Sequence, residues 1–312
     1  MEVKMRVAIF GAGGIGGYHG GRLAEIGEEL VIIARGKHLK AIQQQGLKID
    51  STKGDFIVYP KLATDNPSEV GEVDTIIVGV KAWQVPEAAK AMRPMVGSET
   101  AVVSLQNGVD VPHQLAAVLG AEHIVIGLSL VRCFIVGPGH LRNTQAVDPN
   151  LQLGEMDRRP SERVERLRRI SEQSGLTVTI PKDIHTAMWE KFLLFSVASG
   201  LGAITRMNTG TWRTLPETRQ MAEAAVREIV VLAQATGISL PEDSVKSTMH
   251  LIDSMKEEHS TSMAKDILDG RPSELQAALG EVVRLGRQFG VDTQVNTLIY
   301  NSLLPQEMNA RG

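Results

Sequence analysis

Three glycines form the pattern G-x-G-x-x-G between a short β-branched run, "RVAIFG", and an amphipathic segment. Such a run is typical of a strand that is buried on both faces. The first glycine then permits a tight turn, the second lets backbone approach a phosphate, and the third lets helix and strand pack closely. A structural turn without a ligand is the alternative. The pattern predicts a dinucleotide-binding turn made of Gly11, Ala12, Gly13, Gly14, Ile15 and Gly16.

Further apolar runs alternate with helical segments along the first half of the chain. They are "ELVIIAR", "VDTIIVGVK", "TAVVSLQNG" and "EHIVIGLSLV", with helical segments between them such as Trp83–Met92 and Val111–Leu119. This alternation predicts an α/β fold with a Rossmann-type, doubly wound parallel sheet. We also expect an inserted hairpin at "GLKIDSTKGDFIVYP" and extended structure over Gly137–Glu155.

The periodicity changes after "GLTVTIP", and from Asp183 onward the pattern is almost only helical. The segment "DIHTAMWEKFLLFSVASGLGAITRM" predicts one long, apolar helix. Two domains are also the natural expectation for 312 residues. We therefore predict a cofactor-binding domain at residues 1–182 and an all-helical substrate and catalytic domain at residues 183–312.

Capping residues predict where two later helices begin and end. Thr214 is a candidate N-cap with Pro216 in the first turn, and Gly237 is a candidate stop. In "PSELQAALGEVVRLGRQFG", Ser273 is a candidate N-cap and Gly290 a candidate C-terminal glycine.

The second strand, "ELVIIAR", ends at Arg35, where a dinucleotide-binding unit usually carries an acid for the ribose hydroxyls. Glu28 and Glu29 lie at the opposite end of that strand. A cation at the carboxyl end suits the 2′-phosphate of NADP, and a charge-assisted hydrogen bond contributes about 1.5–3 kcal/mol. That corresponds to roughly a tenfold to hundredfold preference. Lys37 and Lys81 are further candidates for this basic pocket, and a solvated surface arginine is the alternative for Arg35.

Charge and composition exclude several other classes of function. The net charge of −3 gives no reason to expect a nucleic-acid or acidic-membrane partner, and no apolar run reaches the ~20 residues of a membrane span. The single cysteine, Cys133, allows no intrachain disulfide and reads as buried and inert. The histidines form no metal-binding spacing. The opening residues enter a strand almost at once and leave no room for a signal peptide, so we expect a cytoplasmic protein.

Four widely spaced motifs, in this order, resemble the ketopantoate reductases. They are "KAWQV" at Lys81–Val85, "QNGV" at Gln106–Val109, "MWEKF" at the start of the long helix, and "STSMAKDILDGRPSEL". Members of that family are NADPH-dependent 2-dehydropantoate 2-reductases of pantothenate biosynthesis. The resemblance covers nearly the whole chain and implies a small-molecule 2-oxo acid as substrate and NADP(H) as cofactor. It is compatible with a homodimer.

The resemblance also implies a role for each matching residue. Lys191 matches the lysine that serves the substrate carbonyl as an acid, and Glu274 matches the acidic residue beside it. Ser262 matches the serine that holds substrate. Asn107 matches the asparagine that links cofactor and substrate, and Lys81 matches a lysine near the cofactor.

The chemistry of the residues agrees with these roles, although a purely structural role is an alternative for each residue. Hydride transfer to a ketone leaves negative charge on oxygen, which a lysine ammonium can stabilise and protonate. Lys191 could instead extend from a core helix with its ammonium in water. Glu274 could complement a helix dipole, Ser262 could cap the helix that runs to Leu268, and Asn107 could be a plain turn residue.

The sequence departs from the family on the substrate side. Many members carry two asparagines one and two turns after the lysine, where this chain has Phe195 and Ser199. His259 also stands where an asparagine is often found. These three residues are candidates for substrate contact, and they make another 2-oxo acid with a more apolar tail an alternative to ketopantoate. A non-catalytic NADP(H)-binding regulator is a second alternative, and Arg35 disfavours a third, an NAD-linked hydroxyacid dehydrogenase.

Overall fold

The computed structural model describes residues 4–144 and 150–312, which cluster into two compact units. The first holds the described residues of Met1–Gln106 and Val111–Ile184. The second holds Asn107–Asp110 and His185–Gly312. The assignment of one half to the cofactor and the other to the substrate stays a functional prediction.

The first unit contains two β-sheets. Their strands, in chain order, are β1 (Arg6–Phe10), β2 (Glu29–Ile33), β3 (Leu47–Ser51), β4 (Phe56–Val58), β5 (Leu62–Thr64), β6 (Thr75–Val78), β7 (Ala101–Ser104), β8 (Ile124–Leu130), β9 (Cys133–Gly137), β10 (His140–Asn143), β11 (Asn150–Glu155) and β12 (Thr177–Thr179). The larger sheet has the order β12-β11-β8-β7-β6-β1-β2-β5. All neighbours in it are parallel except β8 and β11. The predicted Rossmann-type sheet is therefore confirmed.

The smaller sheet has the order β4-β3-β10-β9. It contains the expected hairpin, because β3 and β4 pair antiparallel. Strand β10 pairs antiparallel with β9 and parallel with β3, so two distant segments complete this sheet. The extended structure expected over Gly137–Glu155 is confirmed where it is described, and residues 145–149 of that stretch lie outside the described residues.

The α-helices divide between the two units. The first unit has α1 (Gly14–Glu25), α2 (Gly36–Gln45), α3 (Val85–Met92), α4 (Val111–Leu119) and α5 (Glu162–Gln173). The second unit has α6 (Ile184–Thr205), which begins at the last residue of the first, then α7 (Thr209–Thr214), α8 (Pro216–Ala235), α9 (Ser244–Ser254), α10 (Ser262–Leu268), α11 (Glu281–Phe289) and α12 (Gln294–Arg311). A π-helix, Gln276–Gly280, precedes α11. The predicted all-helical second half is confirmed.

Helix α1 packs against both sheets because glycines line it. A Cβ on Gly16 would lie 2.5 Å from the carbonyl oxygen of Gly11, and one on Gly20 would lie 2.3 Å from the Ile9 side chain of β1. On the side of the smaller sheet, a Cβ on Gly17 would lie 2.6 Å from Leu141. Interiors have no room for such extra atoms. The glycines therefore set how closely the amino end of this helix approaches the sheets.

Helix α6 is the long, apolar helix that the sequence predicts. It is long and apolar enough to cross a membrane by length and composition, with a mean hydropathy of 1.2 in its best window. However, 67% of that window is buried inside the protein, as in a core helix. Phe192, Leu193 and Val197 are among its buried residues.

Two of the predicted helix starts are wrong. Ser273 caps no helix, because the π-helix begins at Gln276 with Leu275 as its N-cap residue. Thr214 does not cap α8: it ends α7, and its hydroxyl donates to the carbonyl oxygens of Gly210 and Thr211. Helix α8 begins directly after Leu215, with Pro216 as its first residue, because proline fixes a helical φ and lacks the N–H that a cap would satisfy. The expected glycine stops are confirmed, with φ values of +83° at Gly237 and +66° at Gly290.

Candidate functional site

The glycine-rich turn has open space beside Gly13, whereas Gly14, the first residue of α1, is covered by the start of β9, since a Cβ there would lie 1.9 Å from the Cys133 carbonyl oxygen. Gly11 has a φ of +98°, and a Cβ there would lie 2.8 Å from the backbone nitrogen of Val80. Around Gly13 the nearest described atom is the Gly79 carbonyl oxygen, 3.6 Å from where a Cβ would be. Packing therefore does not require glycine at position 13, whereas close approach of a phosphate does. Helix α1 has neither an acid in its first turn nor a side-chain cap, so its N–H groups suit an anion.

His38 supports this turn, and sequence reasoning missed it. The backbone N–H of Gly139 donates to its Nδ1 at 2.9 Å, so the proton lies on Nε2, which donates to the carbonyl oxygen of Ala12 at 2.9 Å. Burial lowers the pKa of His38, and the bond to Ala12 acts in the opposite direction. The imidazole thus joins the glycine-rich turn to the segment between β9 and β10. His38 is visible in the stretch "ARGKH" after β2, but no local pattern links it to its partner Gly139, which is distant in sequence.

Arg35 lies where the sequence places it, directly after β2 and Ala34, and it is the N-cap residue of α2. Its side chain is exposed and makes no hydrogen bond or ion pair with another described residue. Lys37 is exposed as well. Lys81 is half-buried, and its ammonium lies 5.8 Å from the centre of the Trp83 ring. Arg35 is therefore a cation available to a ligand.

In the second unit, the charge of Glu274 acts on Lys191. The side chain of Lys191 on α6 is half-buried, and desolvation lowers its pKa to about 8, while the charge of Glu274 acts to raise it. Glu274 is only 6% exposed. A lysine that titrates near neutral pH beside a buried carboxylate is typical of a proton-transfer site.

Asn107 joins this pair. Its Nδ2 donates to Oε2 of Glu274 at 3.0 Å. The turn Asn107–Asp110 follows β7 in sequence but belongs to the second unit, and a Cβ on Gly108 would lie 2.9 Å from the carbonyl oxygen of Ala277. Asn107 is therefore more than a plain turn residue, because its side chain has a specific partner. Through it, the "QNGV" motif contributes to the site of Lys191 and Glu274.

Ser262 is the first residue of α10, and His259 lies three residues before it. The cap of this helix is Thr261, whose hydroxyl accepts the N–H of Ala264 at 3.2 Å. The alternative of Ser262 as a capping residue is therefore wrong, and its side chain is exposed. His259 is half-buried, and its carbonyl oxygen accepts the N–H of Thr209 at 2.9 Å. Contact of either side chain with substrate stays a prediction.

Phe195 and Ser199 follow Lys191 at intervals of four residues on α6, so all three share one stripe of this helix. Phe195 is half-buried, whereas Ser199 is fully buried. The Ser199 hydroxyl has no hydrogen-bond partner among the described residues. Phe195 is therefore the member of the predicted pair with exposed surface to offer a substrate.

Other chemistries find no support in the described chain. Residues 4–144 and 150–312 contain no group of three or more His, Cys, Asp or Glu side chains that could hold a metal ion. Burial raises the pKa of the Cys133 thiol to about 12. A thiol of that kind is no nucleophile near neutral pH.

Comparison with known proteins agrees with the geometry. Residues 7–158 match the family model "Ketopantoate reductase PanE/ApbA", and residues 183–307 match "Ketopantoate reductase PanE/ApbA C terminal". A 2-dehydropantoate 2-reductase of Mesorhizobium japonicum is 29% identical over 307 residues, with 91% of this chain and 92% of that protein covered. The uncharacterized oxidoreductase YkpB of Bacillus subtilis is 26% identical over 302 residues, with 96% and 98% covered.

A solved structure shows the same fold. The PanE/ApbA family ketopantoate reductase of Ralstonia eutropha superposes with a TM-score of 0.89 at 28% identity, covering 99% of this chain and 100% of the other. The two family models together cover most of the chain, and their family is one of nicotinamide-dependent oxidoreductases. The chain belongs to the ketopantoate reductase PanE/ApbA family.

The charge of Glu274 should set the protonation of Lys191. We expect Glu274→Gln to lower the pKa of Lys191 below about 8, because the glutamine no longer opposes desolvation. The measurement is an NMR titration of the lysine side-chain signals, with the Lys191 signal assigned by its loss in Lys191→Ala. Glu190→Gln is the matched control, since Glu190 precedes Lys191 but is exposed. An unchanged Lys191 titration in Glu274→Gln would contradict this assignment.

Proposed function

We propose that the protein reduces a 2-oxo acid with NADPH, with 2-dehydropantoate as the leading candidate and pantoate as its product. That substrate would place the enzyme in pantothenate biosynthesis. The nicotinamide cofactor supplies a hydride to the carbonyl carbon. The observation that carries the proposal is Lys191, which burial makes acidic and on which the charge of Glu274 acts in the opposite direction.

Lys191 is suited to protonate the oxygen of the reduced carbonyl. With a pKa of about 8 it is still mostly charged at pH 7, yet it gives up its proton more readily than an ordinary lysine. The charged form also stabilises the developing alkoxide. Glu274 favours this charged form, and Asn107 holds the Glu274 carboxylate. A purely regulatory NADP(H)-binding protein would have no need of such a proton donor.

Arg35 supports NADP as the cofactor in preference to NAD. A phosphate on the ribose that extends beyond the carboxyl end of β2 would meet an exposed guanidinium with no partner in the described chain. Arginine binds phosphate with two parallel hydrogen bonds. The glycine-rich turn and the amino end of α1 suit the pyrophosphate of the same cofactor.

Phe195 favours a substrate with a more apolar tail than ketopantoate. Its ring offers apolar surface on the stripe of Lys191, where an amide would offer hydrogen bonds. Ketopantoate carries a hydroxyl, and a buried hydroxyl without a partner costs about 1–3 kcal/mol. The Ser199 hydroxyl lies on the same stripe but is fully buried, so it offers the substrate hydroxyl no exposed partner.

Removal of the Lys191 ammonium should slow chemistry more than cofactor binding. We expect Lys191→Ala to lower kcat by roughly 10²–10⁴, the usual effect of losing a general acid. The dissociation constant of NADPH, measured by fluorescence titration, should change little. In the natural protein, kcat/KM should be constant at low pH and fall as pH rises through about 8, where Lys191 loses its proton. Normal turnover by a folded Lys191→Ala would make the lysine structural.

Arg35→Ala should weaken NADPH much more than NADH. The expected loss for NADPH is roughly tenfold to a hundredfold, since one charge-assisted contact to phosphate is removed. The measurement is the KM and dissociation constant for both cofactors. Lys37→Ala is the matched control, an exposed cation two residues away. Equal losses of NADPH and NADH in Arg35→Ala would show that Arg35 does not bind the 2′-phosphate.

Phe195 should set the preference between polar and apolar substrates. We expect Phe195→Asn to raise kcat/KM for ketopantoate relative to 2-oxoisovalerate, because the amide can pair with the substrate hydroxyl. Phe195→Leu is the control that keeps an apolar side chain. The double variant with Ser199→Asn is less informative, since Ser199 is fully buried and a larger side chain must displace its neighbours. A natural protein that strongly prefers ketopantoate, with no gain in Phe195→Asn, would contradict this role.

A further inference from the structure

The last helix, α12, holds the residue before Glu274 through one buried carboxylate. Glu307 accepts the backbone N–H of Ser273 with both oxygens, at 3.0 and 3.1 Å, and it accepts the Ser273 hydroxyl as well. Arg311 donates to Glu307 at 2.7 Å and to the carbonyl oxygen of Ser273 at 3.1 Å. Two side chains of one helix thus hold all three polar groups of Ser273.

A local turn alone does not require this arrangement. The hydroxyl of Ser273 accepts the N–H of Leu275 at 3.2 Å, which is a local turn contact, because the helix begins only at Gln276 with Leu275 as its N-cap residue. Glu307 is only 4% exposed, and a buried carboxylate is costly unless it is paired and hydrogen-bonded. Arg311 supplies the opposite charge and Ser273 the hydrogen bonds. Glu307 thereby holds the peptide that ends in the Ser273 N–H, and Arg311, which Glu307 binds, holds the next peptide, which joins Ser273 to Glu274.

That peptide determines the direction in which Glu274 leaves the backbone. The carbonyl of Ser273 and the N–H of Glu274 lie in one rigid plane. A carbonyl held by Arg311 therefore orients the start of the Glu274 residue. Asn107 holds the other end, the carboxylate. Glu274 is fixed at both ends, and its charge acts on Lys191.

Helix α12 is itself anchored within the second unit. At its amino end, Glu228 of α8 accepts the backbone N–H groups of Val295 and Asn296, at 2.8 and 3.0 Å. Near its middle, the hydroxyl of Tyr300 donates to Oε1 of Gln276 at 2.7 Å, two residues after Glu274. The helix is therefore a firm support for the turn that it holds.

We propose that Glu307, supported by Arg311, is a positioning residue that keeps the Glu274 carboxylate in place beside Lys191. This inference rests on the proposed function of that pair in proton transfer. Glu307 does not touch the reacting groups, and its effect passes through Ser273 and through Arg311, which binds the Ser273 carbonyl.

The test compares Glu307→Gln with Glu228→Gln in the chain of 312 residues. Glu307 lies on α12 and accepts the N–H of Ser273, whereas Glu228 lies on α8 and accepts two N–H groups of α12. Each change removes one such carboxylate, so both should lower the melting temperature. In Glu307→Gln alone, the Lys191 titration should move to lower pH, because a displaced Glu274 opposes desolvation less. We also expect kcat to fall roughly 10- to 100-fold, as for other groups that orient a functional side chain, with KM little changed.

The Lys191 titration is followed by NMR without substrate, so it is independent of which 2-oxo acid is reduced. If no 2-oxo acid is turned over but the titration shifts in Glu307→Gln alone, the positioning role holds and the proposed function fails. An unchanged titration and kcat in folded Glu307→Gln overturns the positioning role. If Glu307→Gln does not fold, Arg311→Gln decides, because it removes the bond to the Ser273 carbonyl while Arg311 is partly exposed. A shift there supports the role, and its absence overturns it.

Discussion

A lysine ammonium withdrawn from water needs a carboxylate nearby, and much of the second unit is arranged to provide one. Desolvation makes Lys191 acidic, and without the charge of Glu274 it would be more acidic still. The carboxylate in turn has to be held, since a loose charge in a partly dry site would turn toward solvent. Asn107 holds it from the turn after β7, and the peptide before it is held from α12. Segments far apart in sequence thus serve one pair of charges.

The first unit depends on a different constraint, which is steric. Helix α1 approaches β1 so closely that side chains at Gly16 or Gly20 would overlap the strand or the turn before it. This approach places the uncapped amino end of the helix at the edge where the parallel strands end, which is where doubly wound sheets bind ligands. Arg35 lies at the same edge because β2 is the direct neighbour of β1. The glycine pattern and the cation therefore lie at the same edge of the sheet, as the proposed cofactor site requires.

Much of this could be predicted from the sequence, because the signals are local. The strand runs, the β3–β4 hairpin, the bounds of α4 and the glycine stops of α8 and α11 all depend on residues next to one another. The errors and omissions have a common cause. Thr214 resembles an N-cap, but its hydroxyl bonds back to α7. His38 and Glu307 were missed because the role of each depends on a distant partner. The partner of His38 is 101 residues away, and that of Glu307 is 34 residues away.

The sequence by itself determined the fold class, the family and the residue types available for chemistry, since periodicity and motif spacing are properties of the chain alone. Only the tertiary structure decided which of those residues meet. It brought Asn107 to Glu274 and made Lys191 acidic, and it left Arg35 without a partner in the described chain. It also left Phe195 half-buried and Ser199 fully buried, although both lie on one stripe of α6. Burial and pairing depend on segments that approach through space, and no local pattern encodes that approach.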